Sequence, residues 1–396
     1  MSTMTHELDT KDAAREERVV AAPPVRVLHV INGEHYAGAE RVQDTLALGL
    51  AEHGFEVSFA CLKPGRFEPM RRAKDAPLYD VSMRSRLDLR SVGRLARLLR
   101  RGRFALVHTH NPRTAMIGSL AAAWRGVPLV HHVHTQTREE VDDNRLRRFS
   151  ALIERRSLAR ARGLISVSES ISRYLRDHGY DGRRIWLVPN GVPAPRELPV
   201  RSRPAGAWTL GVLALFRPRK GLEVILRAMA ELRQAGIAAR LRVVGPFDTP
   251  GYEQSVRRLA SDLGLAEQVD WLGFRADVHD ELRRMDVFVL PSVLSEGMPM
   301  SVLEAMGAGT PVVATRVDGV TDVVRDGEDG LLAAPGDASD LARVLAAVVR
   351  GEVDCDRMRR NAHRRQAEAF SDRSMAAGVA KVYREVIQEY AEALGR

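Results

Sequence analysis

The sequence is poor in cysteine and aromatic residues and contains no long apolar run. Its 396 residues include two cysteines, Cys61 and Cys355, without Cys-x-x-Cys spacing. This argues against a disulfide framework or a cysteine metal site and favours a reducing compartment. No stretch of about eighteen apolar residues occurs, which excludes a membrane-spanning helix. Residues 1–24 lack the apolar core of a signal peptide, so we expect a disordered tail on a cytoplasmic protein.

Lysine is also scarce, because arginine supplies almost all of the positive charge. Five lysines occur, and Lys220 is the only one between Lys74 and Lys381. Residues 1–200 contain 33 Lys and Arg against 23 Asp and Glu, and residues 201–396 contain 27 against 28. The net charge of +9 (+10 and −1) therefore arises in the first half. It favours an anionic partner there, such as a phosphorylated substrate, an acidic membrane surface or nucleic acid.

Short apolar runs alternate with longer segments of helical spacing along the whole chain. Such runs are typical of parallel strands buried on both faces, so we predict two doubly wound, Rossmann-like α/β domains. The first covers residues 25–192, a proline-rich linker covers 193–206, the second covers 207–370, and a terminal helix covers 371–396. The predicted strands are 25–32, 55–62, 79–83, 105–110, 127–135, 163–168 and 185–189, then 208–216, 239–245, 269–274, 287–291, 311–317 and 330–334.

Three cations follow the first predicted strand of the second domain. Arg217, Arg219 and Lys220 precede Gly221 and a segment of helical spacing. Cations at the carboxyl end of a strand, beside the start of a helix, suit a diphosphate. An ordinary solvated loop is the alternative, but the isolated position of Lys220 favours a binding site.

Two carboxylates flank the start of another predicted helix in this domain. Glu296 lies in a loop after a strand, and Glu304 lies about one and a half turns into a helix that Pro299 is suited to begin. Unpaired backbone N–H groups at such a start attract an anion, and the carboxylates can accept hydrogen bonds from sugar or ribose hydroxyls. In the alternative interpretation, Glu296 caps the helix and Glu304 is exposed.

Short motifs occur in a consistent order along both predicted domains. The first domain contains AGAE (37–40), HTHN (108–111), HVHT (132–135), VSES (167–170) and PNGV (189–192). The second contains Arg217 with Lys220 and Gly221, VG (244–245), LGF (272–274), DVFVLPS (286–292) and the Glu296/Glu304 pair. Over residues 25–334 the chain resembles the retaining glycosyltransferases of family 4, which are nucleotide-sugar enzymes of the two-domain GT-B fold.

The resemblance implies transfer of a sugar from a nucleotide diphosphate to a hydroxyl acceptor, with retention and without a metal or other cofactor. The acceptor would be a cell-envelope, exopolysaccharide or lipid-linked glycan bound by the N-terminal domain, to which the terminal helix returns. The implied catalytic residues are His134, Arg217, Lys220 and Glu296. The implied donor-binding residues are Gly38, Arg217, Lys220, Glu296, Gly297, Met298, Pro299, Met300 and Glu304.

Each of these residues has an implied role. Arg217 and Lys220 would hold the diphosphate, Glu296 the sugar hydroxyls and Glu304 the ribose. Gly38 would let the backbone approach the phosphate, and His134 would lie near the donor sugar.

The chain departs from the family pattern at two places. Asp318 and Asp322 stand where the family commonly has Gly and Glu, and Pro246 begins a segment that replaces a glycine-rich turn. The choice between UDP and GDP donors, and the sugar itself, therefore stay open.

A histidine cluster supports a different interpretation. Five of the twelve histidines lie within residues 108–134, and each His-x-His pair points to one face of its strand. A metal-dependent hydrolase that uses His108, His110, His132 and His134 is the rival hypothesis, although no acidic ligand lies nearby in sequence.

Two arginine-rich segments, residues 84–103 and 145–162, contain eight and seven arginines. In one interpretation, the apolar stripe of each segment packs on the sheet and the arginines are solvated. In the other, the basic face of the segment docks on anionic lipid at the inner face of the plasma membrane. Too few aromatics interleave the arginines for nucleic-acid binding. A non-catalytic sugar-nucleotide-binding protein is a further alternative.

Overall fold

Two parallel β-sheets organise the chain. The computed structural model describes residues 23–85, 88–135, 155–193, 195 and 197–395. The predicted tail, apart from Pro23 and Pro24, and most of the arginine-rich segment 145–162 lie outside the described residues. Among the described helices, none is both long and apolar enough to cross a membrane.

The first sheet has seven parallel strands in the order β3-β2-β1-β4-β5-β6-β7. Its central strands are almost fully buried, as expected for a sheet with helices on both faces. The strands are β1 Val25–Ile31, β2 Phe55–Cys61, β3 Leu78–Asp80, β4 Leu106–Thr109, β5 Leu129–Val133, β6 Gly163–Ser166 and β7 Ile185–Leu187.

The second sheet repeats this topology with six parallel strands in the order β10-β9-β8-β11-β12-β13. The strands are β8 Trp208–Leu213, β9 Ala239–Val244, β10 Val269–Gly273, β11 Val287–Leu290, β12 Val312–Thr315 and β13 Leu331–Ala333. Every predicted strand overlaps one of these thirteen, so the predicted fold class is confirmed. The exact domain boundaries stay predictions.

Helices cover both faces of each sheet. In the first half they are α1 Gly38–Gly49, α2 Phe67–Met70, α3 Arg90–Gly102, α4 Pro112–Arg125 and α5 Glu169–Asp177. In the second half they are α6 Leu222–Gln234, α7 Pro250–Asp262, α8 Val278–Arg283, α9 Met300–Gly307, α10 Ala338–Arg350, α11 Cys355–Ala369 and α12 Asp372–Leu394. Helix α11 has no predicted counterpart, because it buries few residues, two of them polar, and so lacks a clear apolar period.

The last helix packs against the first sheet. Tyr383 of α12 is fully buried, and its hydroxyl contacts His29 Nε2 at 2.9 Å and His108 Nδ1 at 2.6 Å. The segment before α12 also contacts the segment after β7, because Ser371 forms a parallel β-bridge with Val192. The C-terminal segment therefore helps to build the core of the first domain.

Strand order reverses once in each sheet, between β1 and β4 and between β8 and β11. In open α/β sheets, ligands bind outside the carboxyl ends of the strands at such a reversal. The loops after these four strands therefore define the place to look for a functional site.

Candidate active site

The loops at the two reversal points face one another across the interdomain cleft. Helix α1 begins at Gly38 after β1, and a Cβ built on Gly38 would lie 3.9 Å from Met300 Cγ at the start of α9. Gly297 lies closer still to the first domain: a Cβ there would lie 1.6 Å from the main-chain oxygen of His134. The cleft is therefore narrow here, and only glycine fits at position 297.

A buried ion pair lies at the second-domain reversal point. Lys220 Nζ lies 2.7 Å from Glu296 Oε1 and 2.9 Å from Oε2, and Ser292 Oγ donates to Oε1 at 2.5 Å. Burial alone would raise the pKa of Glu296, but the Lys220 ammonium and the Ser292 hydroxyl lower it below its usual value. Glu296 is therefore a carboxylate at neutral pH, with Lys220 21% exposed beside it.

Two glycines allow the backbone to pack closely around the loops that carry Lys220 and Glu296. Gly221 has φ +67°, and a Cβ there would lie 1.9 Å from the oxygen of Pro291. Gly319 has φ +80°, and a Cβ there would lie 2.0 Å from the oxygen of Glu296. Both positions need glycine for their left-handed conformation and for the close approach. The backbone of Glu296 is fixed further by its N–H, which donates to the oxygen of Asp318 at 2.8 Å.

The other two cations of the β8 loop have separate partners. Arg217 is 43% exposed and bonds Asp248 Oδ1 at 3.1 Å. Asp248 belongs to the segment after β9 that begins at Pro246 and replaces the family's glycine-rich turn, so this segment supplies a carboxylate to Arg217. Arg219, the third cation that we predict beside the diphosphate, instead donates to the main-chain oxygen of Ser295. The cationic loop after β8 is thus tied directly to the loop that carries Glu296.

Glu304 is buried in the cleft rather than exposed. Its side chain is 9% exposed and forms an ion pair with Arg41 of α1 in the first domain. Its Oε2 has no hydrogen-bond partner among the described residues. Sequence reasoning missed Arg41, whose signal is its position directly after the AGAE motif. The arrangement leaves one carboxylate oxygen of Glu304 free to accept a hydroxyl.

The helix-cap alternative for Glu296 is wrong. Helix α9 begins at Met300, with Pro299 at the N-cap position and no side-chain cap. Pro299 therefore precedes the first turn that we predict it to occupy. The start of α9 borders the cleft, because Met300 lies beside Gly38 of the first domain. Asn190, at the end of the first domain, bonds the oxygen of Met298 at 3.4 Å and so fixes this segment.

The predicted histidine cluster is confirmed as a geometric feature. Rings from β1, β4, β5 and the residues that follow β4 and β5 lie against one another in the first domain, with His132 stacked on His108 and His134, and burial lowers the pKa of His134 to about 4. The members are His29, His108, His110, His132 and His134. His131 points to the opposite face and bonds Thr109 Oγ1 at 2.8 Å. Within the described residues, no carboxylate joins the cluster.

The predicted site residues thus fall into two groups on the cleft. Lys220, Glu296 and Gly297 are in mutual contact or touch His134, whereas Arg217 and Glu304 have partners of their own. Their roles in binding and catalysis stay predictions. The structure places a cationic loop, two buried carboxylates and the start of a helix at the carboxyl ends of the central strands of the second sheet.

Two similar parallel sheets face one cleft, which is the two-domain architecture that the resemblance to GT-B enzymes implies. Family models match both halves of the chain: Glycosyltransferase Family 4 over residues 36–196 and Glycosyl transferases group 1 over residues 197–365. The chain belongs to the family 4 glycosyltransferases.

Curated relatives agree with this assignment, and a solved structure shares the fold. The D-inositol 3-phosphate glycosyltransferase of Geodermatophilus obscurus is 33% identical over 321 residues, 74% of this chain and 69% of that protein. The MMP alpha-(1->4)-mannosyltransferase of Mycolicibacterium hassiacum is 32% identical over 327 residues, 75% of each chain. The Anabaena protein Alr3699/HepE in complex with UDP and glucose superposes with a TM-score of 0.80 at 19% identity, covering 91% of this chain and 100% of that one.

Proposed function

We propose that the protein is a retaining glycosyltransferase that moves a hexose from a nucleotide diphosphate to a hydroxyl acceptor without a metal ion. The observation that carries this proposal is the buried Lys220–Glu296 pair at the strand reversal point, within a chain of this family. A cation beside the donor cleft suits phosphate, and a fixed carboxylate suits sugar hydroxyls.

The proposed mechanism follows from where charge develops. Breaking the anomeric C–O bond leaves an oxocarbenium-like sugar and a nucleoside diphosphate anion. Lys220, Arg217 and the N–H groups at the start of α9 are the groups that would stabilise this anion. A phosphate oxygen of the leaving group would take the acceptor proton on the same face of the sugar, which retains the configuration.

We propose an acceptor that carries phosphate, either as a polyol phosphate or as a lipid-linked glycan of the cell envelope. Two observations support this class. Relatives named as D-inositol 3-phosphate glycosyltransferases and as a phosphatidyl-myo-inositol mannosyltransferase are 30–33% identical to this chain. The positive excess of the sequence lies in its first half, which faces the cleft from the acceptor side.

A thermal-shift screen of metal-free protein tests the donor proposal. UDP, GDP, ADP and their common sugar conjugates would be added at about a hundred times the dissociation constant, where binding stabilises the fold by about 2.7 kcal/mol. We expect a shift of several degrees with one nucleotide class, followed by turnover and an anomeric proton coupling that reports retention. A shift without turnover would favour the non-catalytic alternative. No shift with any nucleotide would overturn the proposal.

We also propose that the first domain docks on an anionic bilayer through α3. The apolar stripe of this helix packs inward through Val92, Leu95 and Leu99, and most of its arginines lie on the outer face. A groove of about 790 Å³ runs along it, with Leu89 60% and Trp124 66% exposed. Exposed apolar groups among arginines fit an interface with acidic headgroups. This docking would place the protein at the inner face of the plasma membrane.

Vesicle sedimentation tests the membrane surface. We expect binding to vesicles that contain phosphatidylglycerol, at least fivefold weaker binding after Arg97→Gln with Arg101→Gln, and loss of binding in high salt. Arg258→Gln on the second domain, where Arg258 is 83% exposed, is the matched control. Equal partition onto neutral phosphatidylcholine vesicles would contradict the proposal.

A further inference from the structure

The stacked histidines form an unusual concentration of metal-ligating groups beside the cleft. Ring centroids lie 4.1 Å apart for His108 and His110 and 4.4 Å apart for His132 and His134. The rings come together because β4 and β5 are adjacent and parallel, and alternate residues of a strand share one face. Imidazole nitrogens are preferred ligands of zinc, copper, nickel and cobalt.

Two triplets of histidine nitrogens meet the spacing of a metal site. In each triplet the nitrogens lie within 4.8 Å of one another, and His110 belongs to both. In the first triplet, the Tyr383 hydroxyl bonds one nitrogen of His29 and one of His108, and all three rings are buried. The second triplet, with His132 and His134, has no bond to Tyr383, and its His134 is partly exposed, so it is the one that a ligand can reach from the cleft.

The nitrogens of the second triplet are poised for a shared ligand. His110 Nδ1 lies 3.1 Å from His134 Nε2. Two nitrogens at about 2.0–2.1 Å from a tetrahedral zinc lie about 3.4 Å apart, so a small ring rotation is sufficient for this pair. Both nitrogens of His132 are buried without a hydrogen-bond partner in the described chain, so either of them can become the third ligand. Buried polar atoms left unpaired are costly, and a bound cation would satisfy one nitrogen of the His132 ring.

We propose that His110, His132 and His134 bind one divalent cation of the zinc type, with the fourth ligand position toward the cleft. His110 and His132 are buried and His134 is partly exposed, so the site opens on the His134 side, where the main chain borders Gly297. No carboxylate from the described residues joins the triplet, which disfavours Mg²⁺ and Ca²⁺. The cation would pin His134 beside the donor loop and inhibit transfer, a consequence that rests on the proposed function.

Metal binding is measured on tag-free, chelator-stripped full-length protein without any donor, so its failure leaves the proposed transferase activity untouched. Competition with a chromophoric chelator is expected to give one Zn²⁺ per chain, unaffected by excess Mg²⁺. His132→Gln is expected to weaken Zn²⁺ at least tenfold, whereas His178→Gln, which removes an exposed histidine of the first domain, keeps the wild-type affinity. Sub-stoichiometric Zn²⁺, or equal affinity in both variants, would overturn the proposal.

A second measurement does not depend on the variant folding. Co²⁺ added to the wild-type protein is expected to give the visible absorption of a four- or five-coordinate nitrogen site, and anomalous scattering from a zinc-soaked crystal to give one peak between the three rings. A peak only at surface histidines, or an octahedral Co²⁺ spectrum, would overturn the proposed site.

Discussion

Replacing Lys220 by alanine is expected to lower kcat/KM for sugar transfer at least tenfold, equivalent to about 1.4 kcal/mol of transition-state stabilisation. Lys220 is the cation at the second-domain reversal point that touches a buried carboxylate, with its Nζ 2.7 Å from Glu296 Oε1. Lys220 and Arg217 are the two side chains that we predict to bind the diphosphate. Without Lys220, Arg217 would be the remaining one. Arg217 is more exposed and is shared with Asp248.

The same substitution is expected to destabilise the fold. Glu296 is 8% exposed, and Lys220 is the main group that lowers its pKa against the effect of burial. Removing one partner of a buried ion pair leaves an uncompensated charge and costs about 3–5 kcal/mol. We therefore expect the double variant Lys220→Ala with Glu296→Gln to recover most of the lost free energy of unfolding but none of the lost activity.

This pair of variants separates a structural role from a catalytic one. Activity is to be normalised to the folded fraction, measured by circular dichroism under assay conditions. Lys381→Ala is the matched control, because Lys381 is 75% exposed and lies 3.9 Å from Glu385 on the outside of α12. Recovery of activity together with stability in the double variant would remove Lys220 from the diphosphate site.

Much of the fold could be predicted from the sequence because parallel strands buried on both faces have a strong local signature. Val312–Thr315 and Val287–Leu290, for example, are apolar runs that end at polar loops, and both are strands. The one-face arrangement of His108 and His110 also follows from the two-residue period of a strand. These features depend on neighbours in sequence.

Contacts across the cleft could not be predicted in the same way. The Arg41–Glu304 ion pair joins residues 263 positions apart and depends on how the two sheets face one another. The same holds for Gly297 against His134, and for Ser170, whose N–H donates to Asp322 across the domains at 3.2 Å. No local spacing encodes these distances. The sequence identified the charged residues of the site but not which of them pair with each other.

Acidification is expected to unfold the metal-free protein well above the pH at which carboxylates titrate. Burial lowers the pKa of His29 and of His131 from the ordinary value of 6.5 to about 3, and it lowers those of His108, His110 and His132 well below 6.5. Below pH 6.5 the unfolded chain takes up protons that the folded chain refuses. The stability that these neutral rings provide is therefore complete above pH 6.5 and is lost as the pH falls toward 3.

Each such histidine changes the free energy of unfolding by about 1.4 kcal/mol per pH unit once its unfolded form is protonated. Three of the five are enough to remove about 4 kcal/mol between pH 6 and pH 5, a large part of the 5–15 kcal/mol that is typical of a folded domain. Urea denaturation in the presence of a chelator measures this slope. His131→Gln is expected to reduce it by about 1.4 kcal/mol per pH unit, because His131 lies outside the stacked cluster but is equally buried.

Comparing slopes rather than absolute stabilities removes the effect of any packing defect in the variant. His178→Gln, which removes an exposed histidine of the same domain, is the control for the loss of a histidine from the chain. A wild-type slope below about 1.4 kcal/mol per pH unit, the value for a single histidine, would mean that the cluster takes up protons while folded. Water that enters through the cleft would then hydrate the protonated rings, and the interior of the first domain would be more accessible to solvent than its packing indicates.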